Sequence, residues 1–187
     1  MTTRISGGNE RGRKLRASKD DGLRPTSERV RAAVFSIIGL GAVEGKRVLD
    51  LYAGTGALAI EALSRGAEQA DFVEAHSGRC ENLRQSLRDL GLSDRGRVHR
   101  AKAERAVETL EGKYGLVFAD PPYDLDPWEA VMGSLGSGRL LDDDAIVVAE
   151  HRHNRELAER YGKLTRITSR RYGDTSVSIY RAGAIDG

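Results

Sequence analysis

Residues 47–56 read Arg-Val-Leu-Asp-Leu-Tyr-Ala-Gly-Thr-Gly, and this stretch decides the fold. The apolar side chains at its start predict a short strand buried on both faces, as in a parallel sheet. Gly54 and Gly56 end the run, and residues 57–65 continue with apolar side chains at helical spacing. A strand, a glycine turn and a helix in this order form a ligand-binding unit in open α/β sheets, because ligands bind beyond the carboxyl ends of the strands.

The glycine turn fits two classes of cofactor, and one acid favours the second of them. Gly54-x-Gly56-x-x-Ala59, with Glu74 20 residues after Gly54, fits the dinucleotide fingerprint. Asp50 would repel a pyrophosphate, but it would suit the ammonium and sulfonium groups of S-adenosylmethionine. Asp50-x-x-x-Gly54-x-Gly56 followed by Glu74 resembles the pattern of the class I methyltransferases. A glycine loop that only makes a tight turn is the third interpretation.

Composition limits the class of protein. The 187 residues are enough for one domain, and a hydrophobic content of 39% is enough for a core. The chain has no apolar run of about 18 residues and no apolar signal segment, so we expect neither a membrane span nor secretion. Cys80 is the single cysteine, which excludes an internal disulfide and fits a reducing cytoplasm.

Positive charge is concentrated near the N-terminus. Residues 1–35 hold nine basic and four acidic side chains, although the whole chain has a net charge of only +2. We predict a basic N-terminal hairpin or arm over residues 1–24 and one main domain over residues 25–187. A basic segment on a slightly acidic body favours contact with a polyanion, although a merely solvated tail is an alternative. The candidate RNA contacts are Arg4, Arg11, Arg13, Lys14, Arg24, Arg29 and Arg31.

Strand and helix patterns alternate along the rest of the chain. A helix is predicted from Thr26 or Ser27, with Val30, Ala33, Val34, Ile37 and Ile38 on its apolar face and Arg29 and Arg31 on its flanks. Ser77 is expected to cap a second helix, which ends at Leu90. Residues 142–144 are predicted to be a solvated turn, residues 154–161 a short helix, and residues 164–181 a hairpin. The alternation predicts a mostly parallel sheet with helices on both faces and an antiparallel last strand.

Asp120-Pro121-Pro122-Tyr123 follows a strongly apolar strand pattern and is a second candidate site. Two prolines fix the backbone and remove two amide donors, which leaves the Asp120 carboxylate and the Pro121 carbonyl as rigid acceptors. Tyr123 offers a flat face. Two acceptors beside a flat face match the exocyclic amine of a planar base. The alternative is a turn that ends the strand and buries its tyrosine.

These acceptors predict how an amine would be methylated. The lone pair of an aromatic amine is delocalised into its ring, so the amine is a poor nucleophile. Asp120 and the Pro121 carbonyl would hold its two hydrogens and direct the developing lone pair at the sulfonium methyl group. Neither a metal ion nor a covalent intermediate is needed. A base within a duplex would have to be flipped out or already unpaired.

Several motifs together resemble the bacterial 16S ribosomal RNA guanine-N2 methyltransferase D family. They are Arg4-Ile5-x-Gly7, Gly12-Arg13-Lys14-Leu15, Arg24-Pro25-Thr26, Arg29-Val30-Arg31-x-x-Val34-Phe35, Asp50-Leu51-x-Ala53-Gly54-Thr55-Gly56-Ala57-Leu58, Glu61-Ala62-Leu63-Ser64-Arg65-Gly66-Ala67 and Asp120-Pro121-Pro122-Tyr123. The resemblance implies a Rossmann-like fold with a seven-stranded sheet. It also implies a monomer that methylates one guanine of small-subunit rRNA within a partly assembled particle.

By the same resemblance, two groups of residues form the site. The donor would be held by Asp50, Tyr52, Ala53, Gly54, Thr55, Gly56, Glu74, Ala75, Lys102, Ala103 and Asp120. The guanine would be held by Asp120, Pro121, Pro122 and Tyr123. An acid that often contacts the adenine in this class is not obvious here, so Glu104 or the backbone at Lys102 or Ala103 would make that contact. The competing functions are an adenine-N6 methyltransferase of DNA or RNA, an NAD-dependent oxidoreductase and a non-catalytic RNA-binding assembly factor.

Overall fold

A computed structural model describes residues 3–16 and 26–183 of the chain. In these residues the helices are α1 (Glu28–Ile38), α2 (Ala57–Ser64), α3 (Ser77–Leu90), α4 (Ala103–Thr109) and α5 (Trp128–Gly136). The strands are β1 (Arg47–Leu51), β2 (Gln69–Glu74), β3 (Gly96–Arg100), β4 (Tyr114–Ala119), β5 (Leu141–Arg152), β6 (Arg160–Tyr161), β7 (Leu164–Tyr172) and β8 (Thr175–Ala182). None of the described helices is long and apolar enough to cross a lipid bilayer.

The strands of the described residues form one sheet in the order β3-β2-β1-β4-β5-β8-β7-β6. The first five strands in this order pair in parallel, whereas β8 pairs with β5 and β7 in antiparallel fashion. The predicted mostly parallel α/β sheet with an antiparallel last strand is therefore confirmed. The sheet order reverses between β1 and β4, and in open sheets that reversal creates a crevice at the carboxyl ends of the strands.

The sheet has eight strands instead of seven because residues 160–161 pair with residues 164–165. The predicted helix over residues 154–161 is wrong. Leu157 and Tyr161 are both buried, a spacing that mimics a helical face. The backbone around Gly162 packs instead against Gly136, where an added Cβ would lie 2.1 Å from the Tyr161 carbonyl oxygen. This close backbone contact between distant segments favours a tight turn over a helix.

Two other local predictions are also wrong. Asp142, Asp143 and Asp144 belong to the first part of β5 and do not form a separate turn. Ser77 is the first residue of α3, and His76 occupies the capping position before it. The prediction of the last hairpin is confirmed, with β7 and β8 joined at Gly173 and Asp174.

Each face of the sheet carries its own hydrophobic core. One core contains side chains of α1, α2 and α3 together with Ile5 and Leu15 of the N-terminal hairpin (residues 3–16). The other contains side chains of α4, α5 and the final strands. The hairpin is closed by pairing between Arg4 and Lys14 and is attached to α2 by a hydrogen bond from the Asn9 amide to the Ser64 carbonyl. The predicted domain boundary at residues 24 and 25 lies outside the described residues.

Helix α1 is rotated relative to its predicted apolar face. Ser27 caps it by accepting a hydrogen bond from the Val30 amide, and Gly39, at φ 73°, follows its end. Arg31 and Phe35 are buried, whereas Ile37 is 39% exposed. The prediction that Arg31 lies on a flank is wrong because a buried partner, Glu61, pairs with it at 2.5 Å.

Candidate active site

Four neighbouring strands of the sheet carry an acid at or near their carboxyl ends. Glu74 is the last residue of β2, and Asp50 is the fourth residue of β1. Asp120 directly follows β4, and Glu150 lies near the end of β5. Because β2, β1, β4 and β5 are adjacent and parallel, these carboxyl groups meet at one edge of the sheet. Such an edge is where open α/β sheets bind ligands.

A cavity of about 1300 Å³ opens at this edge. Most of the predicted site residues line it, namely Asp50, Tyr52, Ala53, Gly54, Thr55, Glu74, Ala75, Lys102, Ala103, Asp120, Pro121, Pro122 and Tyr123. Among the residues predicted to hold the methyl donor or the guanine, Gly56 is the one that does not line the cavity. It has φ 77° at the start of α2, and an added Cβ would lie 2.4 Å from Leu83 Cδ1. The positive φ and the close packing against Leu83 therefore explain why a glycine occupies position 56.

The turn after β1 is shaped by backbone contacts to β2. Tyr52 has φ 62°, which is unusual for a residue with a side chain and occurs at sites where the surrounding structure imposes it. The Ala53 amide donates to the Val73 carbonyl at 2.9 Å, and the Gly54 amide donates to Glu74 Oε2 at 3.0 Å. The Glu74 carboxylate also accepts a hydrogen bond from the His76 amide at 2.8 Å. Glu74 therefore both fixes the glycine turn and faces the cavity.

Asp50 is almost completely buried in the cavity wall. Its Oδ2 accepts a hydrogen bond from the Ala59 amide at 3.3 Å. Burial raises the pKa of the Asp50 carboxyl well above its usual value, the charges of Asp120 and Glu74 raise it further, and the Ala59 amide opposes the rise. A cation bound beside Asp50 would favour the ionised carboxylate.

The charge of the cavity wall discriminates between the two predicted cofactor classes. Among the described residues, six acids line the cavity, namely Asp50, Glu74, Glu104, Asp120, Asp124 and Glu150, and three basic side chains do so, namely Arg79, Lys102 and Arg152. A pyrophosphate would lie among repelling carboxylates. A ligand with an ammonium and a sulfonium group suits this wall, so the residues present fit S-adenosylmethionine better than a dinucleotide.

The Asp120–Tyr123 segment forms a further part of the cavity wall. Asp120 Oδ2 accepts a hydrogen bond from the Thr26 hydroxyl at 2.8 Å. Burial raises the pKa of Asp120 to about 6, and the Thr26 hydrogen bond opposes that rise. The Tyr123 hydroxyl is hydrogen-bonded to Thr175, and the guanidinium of Arg152 lies 5.0 Å from the centre of the Tyr123 ring. These contacts hold a tyrosine ring beside the acceptors, as the motif predicts.

The three alternatives for the adenine contact lie on one wall. Lys102, Ala103 and Glu104 all line the cavity at the start of α4. Glu104 Oε1 accepts a hydrogen bond from the Tyr52 hydroxyl at 3.0 Å, which ties this wall to the strained residue of the glycine turn. Tyr52 and Glu104 therefore form one boundary of the cavity.

Not all of the predicted RNA contacts are available at the surface. Arg4, Arg11, Lys14 and Arg29 are exposed. Arg13 is 46% exposed, and its guanidinium also pairs with Glu10 and bonds the Asp89 carbonyl. Arg31 is fully buried against Glu61, so its prediction as an RNA contact is wrong. Arg24 lies outside the described residues.

Sequence reasoning missed several residues that line the cavity, including Thr26, Arg79, Glu150, Arg152, Tyr172 and Thr175. Glu150 had a usable signal, because it ends a predicted strand just as Glu74 ends another. The sequence predicts Thr26 or Ser27 as the cap of α1, and Ser27 takes that role. Arg152 and Thr175 come together only because β5 and β8 pair in antiparallel register. In residues 3–16 and 26–183, no group of three or more His, Cys, Asp or Glu side chains is arranged to hold a metal ion.

Comparisons with known proteins agree with this geometry. Residues 3–181 match the family described as "Conserved hypothetical protein 95". The Ribosomal RNA small subunit methyltransferase D of Escherichia coli K12 is 35% identical over 147 residues, 79% of this chain and 73% of that protein. The YlbH protein of Bacillus subtilis, which is named as an rRNA methyltransferase by inference, is 36% identical to this chain. The match covers 95% of this chain and 98% of the YlbH protein.

A solved structure shows the same fold over the whole length. The yhhF protein of Escherichia coli, whose name proposes a methyltransferase, superposes with a TM-score of 0.88 at 30% identity. The match covers 99% of this chain and 100% of that one. The superposition therefore includes both the N-terminal hairpin and the eight-stranded sheet.

Proposed function

The chain belongs to the family of the ribosomal RNA small subunit methyltransferases D, and on that premise we propose that it methylates the N2 amine of a guanine in 16S rRNA. The proposed methyl donor is S-adenosylmethionine. The proposed substrate is the small ribosomal subunit or an assembly intermediate of it in the cytoplasm. The proposed active form is a monomer.

One observation carries this proposal. A buried acid on β1 and the rigid acceptor pair after β4 line the same cavity. The register pairs Leu51 with Ala119, so Asp50 and Asp120 lie on adjacent strands within one residue of these paired positions. A donor on the first strand and an amine on the second would therefore meet without any rearrangement of the sheet.

On the donor side, the chain supplies charge and shape. Asp50 and Glu74 would face the cationic and hydroxyl groups of the ligand, and the glycine turn would allow close approach of the backbone. Lys102, Ala103 and Glu104 would border its adenine. When bound, S-adenosylmethionine supplies an electrophilic methyl group.

On the acceptor side, Asp120 and Pro121 would hold the amine. Because the pKa of Asp120 is about 6, its carboxyl is mostly ionised at neutral pH and can accept a hydrogen bond from the amine. The Pro121 carbonyl would accept the second amine hydrogen. The Tyr123 ring would stack on the flipped base, and Arg152 lies against that ring.

The N-terminal hairpin would contact the rRNA around the target base. Thr3 lines the cavity, so the hairpin contributes to its wall. Arg4, Arg11 and Lys14 extend from that hairpin as exposed cations, and Arg29 is exposed on α1. Such side chains neutralise phosphates and orient the RNA without reading its sequence.

The test is a methyl-transfer assay with a product analysis. Small-subunit particles and naked 16S rRNA from a strain lacking this protein are incubated with the protein and labelled S-adenosylmethionine, and the nucleosides are separated by mass spectrometry. We expect N2-methylguanosine, and we expect Asp120→Ala to lose most turnover. N6-methyladenosine would indicate the adenine enzyme, RNA binding without transfer would indicate an assembly factor, and retention of NAD would indicate an oxidoreductase.

A further inference from the structure

Arg152, Thr175 and Tyr172 form one row across β5, β8 and β7. The register pairs Arg152 of β5 with Thr175 of β8, and it pairs Thr175 with Tyr172 of β7. Directly paired residues of neighbouring strands lie on the same face of a sheet. All three residues line the cavity. This row is therefore the part of the antiparallel strands that reaches the candidate site.

A second arginine of β7 lies on the same face as this row. Side chains alternate between the two faces of a strand, so Arg170 shares the face of Tyr172. Arg170 is paired with Val177, which belongs to the core on the side of α1, α2 and α3, and Tyr172 packs against the same core. A register shift between Arg166 and Thr168 produces this arrangement, because one extra residue in β7 exchanges the faces of the side chains that follow it. Arg170 is exposed.

Arg152 contacts the ring on which the base would stack. Its guanidinium lies 5.0 Å from the centre of the Tyr123 ring, and the Tyr123 hydroxyl is hydrogen-bonded to Thr175. The Tyr123 side chain is therefore held by residues of two strands. A guanidinium can contact a ring with its flat face while its in-plane N–H groups bind an anion. Because Arg152 is also exposed, an anion can reach it from solvent.

Acids surround this arginine on the acceptor side of the cavity. Asp120, Asp124 and Glu150 line the same wall, and Glu150 also accepts a hydrogen bond from the Thr26 hydroxyl at 3.1 Å. These carboxylates repel the backbone of an RNA strand. A nucleotide that enters here therefore requires a cation close to the Tyr123 ring.

The position of Arg152 distinguishes it from the other cations of the cavity. Three basic side chains of residues 3–16 and 26–183 line the cavity. Arg79 lies on α3, after β2, and Lys102 follows β3, so both belong to the half of the sheet proposed to hold the methyl donor. Arg152 belongs to β5, next to the proposed amine site.

We propose that Arg152 and Arg170 bind phosphates of the rRNA. Arg152 holds the phosphate of the nucleotide whose base stacks on Tyr123, and Arg170 contacts a neighbouring phosphate along the same face. A flipped nucleotide brings its own phosphate to the cavity, because base and phosphate are joined by a single ribose. The inference rests on the proposed function for the identity of the RNA, but binding can be measured without methyl transfer.

The same strands provide a matched control at their other end. Thr165 of β7 pairs with Arg181 of β8 and with Arg160 of β6, so these two arginines form a second row across the sheet. Both arginines are exposed. Arg181 is also paired with Ile146, which lies about 20 Å along β5 from Arg152. This second row has the same charge but lies far from the cavity.

Binding of 16S rRNA at several salt concentrations tests the phosphate contacts. We expect Arg152→Gln with Arg170→Gln to reduce the slope of log K against log salt by about 1–2, because two phosphates are no longer neutralised. Arg160→Gln with Arg181→Gln removes the same charge and should leave the slope close to that of the wild type. Equal slopes for the two double variants would refute the proposal.

Arg152→Lys separates phosphate binding from mere support of the Tyr123 ring. Lysine keeps the charge but lacks the flat guanidinium, so we expect Arg152→Lys to keep the salt slope that Arg152→Gln loses. Thr175→Val removes the other contact of the ring and should lower kcat without changing the slope. If Arg152→Gln also leaves the slope unchanged, Arg152 only supports the ring and the phosphate contact is refuted.

Two small ligands test which phosphate Arg152 holds. Guanosine 5′-monophosphate and guanosine are titrated calorimetrically into the protein in the presence of S-adenosylhomocysteine. We expect the monophosphate to bind the wild type about tenfold more tightly than guanosine, the contribution of one hydrogen bond between charged groups. Arg152→Gln should lose this preference and Arg152→Lys should retain it. Equal affinities in the wild type would refute the assignment of this phosphate.

Methyl-transfer kinetics separate this inference from the proposed function. Phosphate contacts are made in the ground state and the transition state alike, so Arg152→Gln with Arg170→Gln should raise the KM for rRNA about tenfold. The KM for S-adenosylmethionine should not change. An unchanged salt slope in this double variant would refute the inference and leave the methyltransferase proposal intact. A wild type that forms no N2-methylguanosine would refute the proposed function, while the salt slopes still test the surface.

Discussion

At the scale of single residues, the site gathers acids whose burial is costly. Asp50, Asp120, Glu74 and Glu150 lie close together at one sheet edge, and burial raises the pKa values of the first two. Carboxyl groups in such an environment are less stable in the ionised form than they would be in water. A cationic ligand would offset part of that cost. These buried acids therefore lower the stability of the protein at the edge where the ligands are proposed to bind.

Asp120→Asn should lose methyl transfer and gain stability at neutral pH. Because the folded pKa of about 6 lies above the ordinary value of 3.8, the stability contributed by Asp120 is present below about pH 4 and is lost as the pH rises through 6. Asparagine does not ionise, so we expect the variant to be about 1–2 kcal/mol more stable than the wild type at pH 7.5.

Urea denaturation at pH 7.5 and pH 4 measures this difference. The gain should disappear at pH 4, and Asp124→Asn, which replaces an exposed acid of the same loop, should show no gain at either pH. A destabilised Asp120→Asn at neutral pH would contradict the assigned direction of the pKa.

Asp50→Asn should weaken the binding of S-adenosylmethionine. The substitution keeps the size of the side chain and removes a buried charge that would face a cation. The loss of one charged interaction corresponds to an increase in Kd of about 10- to 100-fold. Isothermal titration calorimetry gives the affinity without any RNA, and an unchanged Kd would remove Asp50 from the donor site.

At the scale of elements, a buried ion-pair network joins α1, α2 and the N-terminal hairpin. Glu61 on α2 pairs with Arg31 at 2.5 Å and with Arg65 at 2.9 Å. The Ser6 amide of the hairpin donates to the same carboxylate at 3.3 Å. Burial opposes ionisation of Glu61, but hydrogen bonds from the Ser6 hydroxyl and Arg65 and the pairing with Arg31 lower the pKa of Glu61. The Glu61 carboxylate thus joins α1, α2 and the N-terminal hairpin. Arg31 stabilises the fold and is not available to contact RNA.

Glu61→Ala should destabilise the protein strongly because it leaves the Arg31 guanidinium buried without its counter-charge. Breaking one side of a buried pair costs about 3–5 kcal/mol. Glu81→Ala is the matched control, since Glu81 is 65% exposed and pairs with Arg88 on the surface of α3. Exposed pairs contribute about 0–1 kcal/mol. Equal losses for the two variants in guanidinium denaturation would show that the network contributes little.

At the scale of the whole molecule, the hairpin adds an exposed basic surface beside the cavity. Arg11 and Lys14 are exposed on it, whereas Arg105 on α4 and Arg160 on β6 are exposed on other parts of the molecule. The effect of net charge on RNA binding can therefore be separated from the effect of charge at the hairpin. The distinction matters because phosphate contacts are local and release counterions one by one.

Arg11→Ala with Lys14→Ala should weaken rRNA binding and flatten its salt dependence. The slope of log K against log salt should fall by about 1–2 for two lost phosphate contacts. Arg105→Ala with Arg160→Ala changes the net charge by the same amount and should alter the slope less. Filter binding of 16S rRNA between low and moderate salt gives both slopes, and equal slopes would exclude the hairpin from the interface.

Much of the architecture was predictable because it is written in short-range patterns. Apolar runs of strand length, a glycine turn and acids at strand ends are local features, and the alternation of strands and helices limits the sheet to a few topologies. The positions of Asp50, Glu74 and Asp120 at strand ends follow from these local patterns. The helix predicted over residues 154–161 is wrong because Leu157 and Tyr161, although spaced as on a helix, are buried by a turn that packs against Gly136.

The amino-acid sequence alone determined the α/β class, the mostly parallel sheet with its antiparallel last strand, and the position of Asp50, Glu74 and Asp120 at the ends of strand patterns. Only the tertiary structure decided that Arg31 is buried against Glu61, that residues 160–161 form an extra strand, and that Thr26 connects Asp120 to Glu150. The physical reason is distance along the chain. Periodicity reports which face of an element is buried, but the partner that neutralises a charge or accepts a hydrogen bond comes from an element that only folding brings near.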